Sequence, residues 1–240
     1  MIPKKIHYCW YGGRPLSDLA EKCIASWKKF CPDYELIRWD ENNTNLQANQ
    51  YINEAYESKQ WAFITDYMRL KVLYEYGGIY MDTDVQVISS LDRFLNNIGF
   101  SGFENENQVP TGIMAAEKGH RFIKLLLNDY DNRHFIGSDG KPDKTTNVDI
   151  ITNHALERGL ILNNKLQTIE DFTFYPSDFF CPKDIRTFKV RITRNTATIH
   201  HFAGSWENPF LLCLNKTVKK VLGERLSLIV SNVKGKKRNV

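Results

Sequence analysis

Residues 61–85 read WAFITDYMRLKVLYEYGGIYMDTDV, and they predict a helix, a glycine hinge and a short strand that runs into two aspartates. Ile64, Met68 and Val72, with Leu73 and Tyr76, recur at helical spacing over about four turns. Gly77 and Gly78 supply the backbone freedom that a helix C-terminus commonly uses. Ile79-Tyr80-Met81 has strand propensity, and the apolar run breaks at Asp82-Thr83-Asp84. On an extended backbone Asp82 and Asp84 point to one side and Thr83 to the other. Their Cα atoms then lie about 7 Å apart, close enough to share one hard divalent cation. Mg²⁺ and Mn²⁺ take oxygen ligands and usually keep positions for phosphate and water.

The helix carries a polar pair of its own. Asp66 and Arg69 stand at i, i+3 and share one face. Alone, such a pair reads as a surface ion pair worth a few tenths of a kcal/mol, and an isolated Asp-x-Asp reads as a solvated turn. The specific signal is the combination: Asp-x-x-Arg, a helix closing on Gly-Gly, then an aromatic residue before Asp-x-Asp.

In Asp66, Arg69, Gly77, Gly78, Tyr80, Asp82 and Asp84 the chain resembles the DXD-type sugar transferases. That family includes the catalytic domains of large clostridial glucosylating toxins and yeast outer-chain mannosyltransferases. The resemblance implies that Asp66 and Arg69 hold hydroxyls of a donor sugar and that Tyr80 lines the donor site. It implies that Asp82 contacts ribose and metal and that Asp84 ligates the metal, Mn²⁺ or Mg²⁺. It extends to residues 6–12, IHYCWYG, where the family carries Ile/Leu-His-x-x-Trp-x-Gly and the tryptophan stacks on the nucleobase. Trp10 is thus the candidate base platform, with a core tryptophan as the alternative. His7, inside the predicted strand, is read as structural. Trp61 is a candidate second wall of the base site, with ordinary packing equally open.

The second chemical segment is ATIHHFAGSW, residues 197–206. It has strand character up to Phe202, so His200 and His201 face opposite sides. One can face the core while the other meets the metal. The resemblance to the family's C-terminal loop implies His201, with His200 as the alternative, as third protein ligand. It also implies that Ser205 and Trp206 contact the leaving diphosphate, for which an indole N–H is a suitable donor.

At 240 residues the chain can bury a full core in one catalytic domain. Its hydrophobic content of 42% and charged content of 25% are ordinary for a globular protein. The opening MIPKKIHYCW lacks a long apolar region, and no stretch approaches the ~18–20 apolar residues that span a bilayer; cytoplasmic residence is the expectation. Five scattered cysteines without Cys-x-x-Cys spacing read as reduced and mostly buried. From Lys216 to Val240 eight Lys/Arg face the single Glu224, whereas the whole chain carries +4. The basicity therefore belongs to the tail, which argues against a nucleic-acid-binding face on the body.

Further strands are expected at 3–11, 34–39, 85–88, 99–103 and 112–116. Helices are expected at 16–30, 46–60, 120–132 and 149–158. The loop 133–149, rich in Gly, Pro and Asp, is the candidate lid on the acceptor side, because long loops in compact domains are often functional. The aromatic run 172–181 reads as core. From Pro209 the chain reads as a basic amphipathic helix and tail, which could lie in an anionic membrane interface at the inner face or pack on the domain.

These readings predict an α/β fold of the GT-A type the resemblance implies, with a mostly parallel sheet flanked by helices over residues 1–208 and a tail over 209–240. The implied activity is metal-dependent transfer of a hexose from a nucleoside-diphosphate sugar, a UDP-sugar favoured, with retention. The acceptor would be a hydroxyl of a glycan or lipid-linked oligosaccharide, in assembly of a bacterial capsular, exo- or lipopolysaccharide. A nucleotide-sugar hydrolase and a non-enzymatic nucleotide-sugar-binding module are the alternatives.

Overall fold

The computed structural model describes residues 1–184, 187 and 189–204. Ser205, Trp206 and the basic tail 209–240 lie outside the described residues. In chain order the elements are β1 (Lys5–Cys9), α1 (Asp18–Phe30), β2 (Glu35–Trp39), α2 (Gln50–Glu57), α3 (Trp61–Tyr76), β3 (Gly78–Met81) and β4 (Val85–Val87). There follow β5 (Gly99–Gly102), β6 (Ile113–Ala116), α4 (Arg121–Asn128), α5 (Asn147–Glu157), β7 (Gln167–Ile169), β8 (Phe172–Tyr175), α6 (Ser177–Phe180) and β9 (Thr198–His200).

Seven strands form one sheet in the order β2-β1-β3-β6-β5-β8-β7. The pairs β1–β2, β1–β3 and β5–β8 are parallel, and only β6 and β7 run against the rest. The sheet is therefore mostly parallel in strand direction, as expected. The segment 85–88 departs from expectation. It does not prolong β3 but leaves the sheet and pairs with β9 in a separate two-stranded ribbon.

The residues explain the architecture. Strand alternation sends Ile79 and Met81 into the apolar cluster under α1, and Tyr80 into the cluster that α2, α3, α4 and α5 build on the opposite face. α1 starts where Ser17 accepts a hydrogen bond from the Ala20 N–H, a usual N-cap. Its fully buried Trp27 donates its indole N–H to the Val85 carbonyl at 2.7 Å, tying the ribbon to α1. α3 ends where Gly77 (φ 65°) and Gly78 (φ 109°) turn the chain straight into β3. A Cβ at Gly77 would stand 2.7 Å from the Lys118 nitrogen, and one at Gly78 2.9 Å from the Lys5 carbonyl oxygen. Both the left-handed backbone and the tight fit demand glycine there.

The aromatic run 172–181 is core, as read: Phe172, Phe174 and Phe180 are fully buried. The four cysteines among the described residues are free and buried. His7 is structural too. Its Nδ1 accepts from the Trp39 indole at 3.2 Å, which leaves Nε2 to donate to the Gly77 carbonyl at 2.9 Å. No helix of the described residues is long and apolar enough to cross a membrane.

Candidate active site

Strand direction decides where the chemistry gathers. β1, β2, β3 and β5 point the same way, so the residues just after them, Trp10, Asp82 and Glu104, emerge at one edge of the sheet. β6 runs the other way, so the residues before it, Thr111 and Gly112, reach that same edge. The carboxyl edge of an open α/β sheet is where ligands bind.

The two aspartates do not lie on an extended segment. β3 ends at Met81, and the Val85 N–H bonds back to the Asp82 carbonyl at 3.0 Å, so Asp82–Val85 is a tight turn. The turn still brings the carboxylates together, and β9 supplies a third group. Ligand atoms of Asp82, Asp84 and His200 all lie within 4.8 Å of one another. The histidine in this cluster is His200, the alternative to the favoured His201. β9 pairs antiparallel with β4 so that His200 stands opposite Val85, and alternation turns the His201 ring away to Gln86 Oε1 at 3.0 Å.

The segment after β9 is fastened to the same aspartate. The His201 N–H bonds the Asp84 carbonyl at 3.0 Å, and the Ala203 N–H donates to Asp84 Oδ2 at 2.7 Å. That leaves Oδ1 facing His200 Nε2 at 3.4 Å. Burial opposes the Asp84 charge, but His200 and the Ala203 N–H outweigh it and hold the carboxyl down at about 2. Burial likewise opposes a charged His200, yet Asp84 holds its imidazole well above the ordinary histidine value. Gly112 is the floor: a Cβ there would stand 2.8 Å from Val85 Cγ2, 3.1 Å from Asp82 Oδ2 and 3.2 Å from His200 Cε1. Its carbonyl accepts from the Asp82 N–H at 2.8 Å.

α3 delivers the second half of the site. Arg69 Nη2 lies 3.2 Å from Asp66 Oδ1 and 3.2 Å from Asp82 Oδ1, linking the helix carboxylate to the turn carboxylate through one guanidinium. This is a buried relay and no surface i, i+3 pair. Burial alone would discourage the Arg69 charge, but Asp82, Tyr80 and Asp66 reverse that and keep it firmly protonated. Tyr80, expected to line the donor site, lies below it. It is buried beneath the site, with Arg69 over its ring at 4.9 Å and its hydroxyl donating to Asp82 Oδ1 at 3.1 Å. It orients Asp82 and Arg69 from below.

Asp66 has a partner that the sequence reading missed. At the start of α5 the Asn147 backbone N–H donates to Asp66 Oδ2 at 3.2 Å, and its side-chain amide donates to the Asp66 carbonyl at 2.6 Å. Burial raises the Asp66 carboxyl, Arg69 and the Asn147 N–H pull it back, and it settles at about 6. Thr146 capping α5 was the available signal: Thr-Thr-Asn before an apolar run is a helix start, two residues earlier than the helix expected at 149.

Trp10 is half-buried at the sheet edge, and its indole N–H donates to the Arg14 carbonyl at 2.7 Å. The Trp61 ring at the start of α3 packs so close to Gly12 that a Cβ there would stand 2.9 Å from the indole. The two tryptophans thus sit on neighbouring segments at one end of the site. The loop 133–146 is clamped at its base. Glu54 accepts from the Phe135 and Ile136 N–H groups at 2.8 and 3.0 Å, and Arg133 grips Asp143 Oδ2 through two nitrogens. Phe135 is buried, whereas residues 138–142 and 144–146 are exposed.

Residues 17–102 match the family model described as "Glycosyltransferase sugar-binding region containing DXD motif". The chain is similar to inositol phosphoceramide mannosyltransferase 3 of Schizosaccharomyces pombe, 31% identical over 56% of this chain and 40% of that protein. It is similar to lactosylceramide 4-alpha-galactosyltransferase of Mus musculus, 31% identical over 31% of this chain and 20% of that protein. The chain therefore spans less than half the length of these curated relatives. Among solved structures it is similar to the PaToxG glycosyltransferase, with TM-score 0.48 and 19% identity over 65% of this chain and 69% of that one. It is also similar to the galactosyltransferase LgtC in complex with donor and acceptor sugar analogues, with TM-score 0.46 and 14% identity over 84% of this chain and 88% of that one.

Proposed function

On the premise that residues 17–102 are a glycosyltransferase sugar-binding region containing the DXD motif, we propose that this chain transfers a hexose from a nucleoside-diphosphate sugar to a hydroxyl of a glycan or glycolipid. The observation that carries the reading is the junction of two groups at one sheet edge. Asp82, Asp84 and His200 converge, and Asp66 and Arg69 are fused to them through Asp82.

Two carboxylates and one imidazole fit a divalent cation. Oxygen ligands suit Mg²⁺ and Mn²⁺ alike, and the added nitrogen tilts the preference toward Mn²⁺. Asp82, Asp84 and His200 would hold it, where it would stabilise the charge on a departing diphosphate. Arg69 and Asp66 then orient the sugar, Arg69 as donor and Asp66 as acceptor of hydroxyl hydrogen bonds. Trp10, with Trp61 beside it, offers a flat apolar face for the base, and UDP is the favoured nucleotide. Ser205 and Trp206, which follow Ala203 and Gly204 in the sequence, are retained as proposed diphosphate donors. The two curated relatives are named for a mannosyl and a galactosyl transfer to ceramide-based acceptors, which supports a hexose donor and a lipid-borne acceptor. No carboxylate needs to act as covalent nucleophile if attack comes from the leaving-group face, and that route retains the anomeric configuration.

The test is nucleotide release from UDP-glucose, UDP-galactose, their N-acetyl forms and GDP-mannose, each with Mn²⁺ or with EDTA. Slow, metal-dependent turnover of one donor is expected. No turnover and no calorimetric binding of any donor would defeat the reading.

A pH prediction follows from the His200–Asp84 pair. With its pKa raised, His200 carries a proton at neutral pH, and a cation must replace it. Mn²⁺ affinity should therefore climb as pH rises toward that pKa, with protons released on binding at pH 7. Calorimetry in two buffers of different ionisation enthalpy measures the release; identical heats in both would contradict the assignment of His200.

A further inference from the structure

Glu104 is an acidic group with no hydrogen bond to its carboxylate among the described residues, set beside three candidate ligands. Its backbone is pinned. Phe103 before it is fully buried and bonds Tyr175, and the Glu104 N–H bonds the Gln108 carbonyl at 3.0 Å. Its side chain is only 16% exposed, and Oε2 stands 3.9 Å from His200 Nδ1. That Nδ1 is buried without a hydrogen-bond partner.

The His200 ring has little freedom to look elsewhere. Its backbone is paired to Val85, the Phe202 ring lies against it at 4.2 Å between centroids, and Gly112 closes the side at Cε1. Nε2 faces Asp84 and Nδ1 faces Glu104, and the buried Cys181 thiol is the other titratable group against the ring. A histidine that binds metal through one nitrogen ordinarily donates its other N–H to a carboxylate, carbonyl or water, which fixes the tautomer and strengthens the ligand.

We propose that Glu104 is a positioning residue for the metal centre: it accepts the Nδ1–H of His200 and so holds the Nε2 lone pair toward the ion between Asp82 and Asp84. This rests on the reading of Asp82, Asp84 and His200 as that centre. The Oε2–Nδ1 distance of 3.9 Å exceeds a hydrogen bond by about 1 Å, and the proposal requires the Glu104 side chain to close it. Sequence gave no hint of it. Glu104 opens the polar run ENENQ, where nothing distinguishes a surface turn from a buried carboxylate.

The test is a double-mutant cycle read as the dissociation constant of Mn²⁺ alone, by electron paramagnetic resonance of the free ion. Glu104→Ala should weaken Mn²⁺ binding about 10- to 100-fold, and Glu104→Gln, which keeps an acceptor oxygen and the side-chain volume, should weaken it less. In a His200→Ala background both substitutions should change affinity by less than about twofold, because Glu104 acts only through the ring. A loss that persists at full size in that background would make Glu104 a direct ligand and overturn the positioning role. Unchanged affinity in the Glu104 variants overturns the role as well. Absence of Mn²⁺ binding by the unsubstituted protein would instead overturn the metal centre, and this proposal with it. Thermal unfolding of Glu104→Gln separates a lost ligand geometry from a lost fold.

Discussion

Asp84→Asn is expected to slow sugar transfer by about 10³-fold or more while moving the unfolding midpoint little. The substitution keeps the shape of the side chain, and an amide oxygen can still accept the Ala203 N–H that Asp84 Oδ2 now receives at 2.7 Å. What it removes is the charge that faces His200 and the ion. Stability survives because His200 can discharge. Without Asp84 the largest influence favouring the charged imidazole is gone and burial favours its neutral form, while Glu104, 3.9 Å from Nδ1, still faces any charge that stays. Catalysis has no such escape. The amide would place either a weaker neutral ligand or an N–H toward the cation, and the diphosphate would leave without its counter-charge. Nucleotide release, Mn²⁺ titration and thermal unfolding on the same preparation test this. Full turnover by the variant, or turnover of the parent that survives EDTA, would remove Asp84 from the chemistry.

The sequence was most legible where the signal is local. The helix α3, its Gly-Gly stop and the strand β3 could be read because periodicity, αL demand and β propensity all act over a few residues. The helix α1 and the aromatic core at 172–181 belong to the same class. The misreadings arise where distant segments set the outcome. Alternation said that His200 and His201 face opposite ways, but not which faces the aspartates. That phase is set by the pairing of β9 with β4, over a hundred residues away in the chain. The resemblance assigns Tyr80 to the donor site, but the face it takes is fixed by the sheet, and that face is the core under α3. Asp82 and Asp84 were expected to converge along a strand; they converge because a turn folds them together over Gly112. Gly112 itself looked like the start of an apolar strand, and its service as floor needs Val85, Asp82 and His200 in view at once. The grip of Asn147 on Asp66 is equally non-local, although its Thr146 cap was visible.

Arg69→Ala should cost about 3–5 kcal/mol of folding stability and about 10²-fold or more in transfer. Arg69 is the only cation between Asp66 and Asp82, at 3.2 Å from each among the described residues, and its side chain is 9% exposed. Removing it leaves two carboxylates facing each other across a cavity, and water replaces the guanidinium imperfectly. The sign of the pH dependence separates this account from simple loss of packing. Asp66 titrates at about 6 in the folded chain, above its ordinary value, because burial outweighs Arg69 and the Asn147 N–H. An acid raised on folding binds its proton more tightly in the native state, so native stability falls as pH rises from the unfolded toward the folded pKa. Without Arg69 the folded pKa rises further, and the window of loss extends upward. The variant should therefore be nearer to the parent at pH 5, where Asp66 is mostly protonated, and furthest from it at pH 8. Arg69→Lys should recover part of the stability, since a cation remains, but less of the activity, since one ammonium cannot bridge both carboxylates in the guanidinium plane. Urea unfolding at the two pH values gives the comparison. An equal destabilisation at pH 5 and pH 8 would mean that Arg69 serves the fold by packing alone, and the relay from Asp66 to Asp82 would carry no charge coupling.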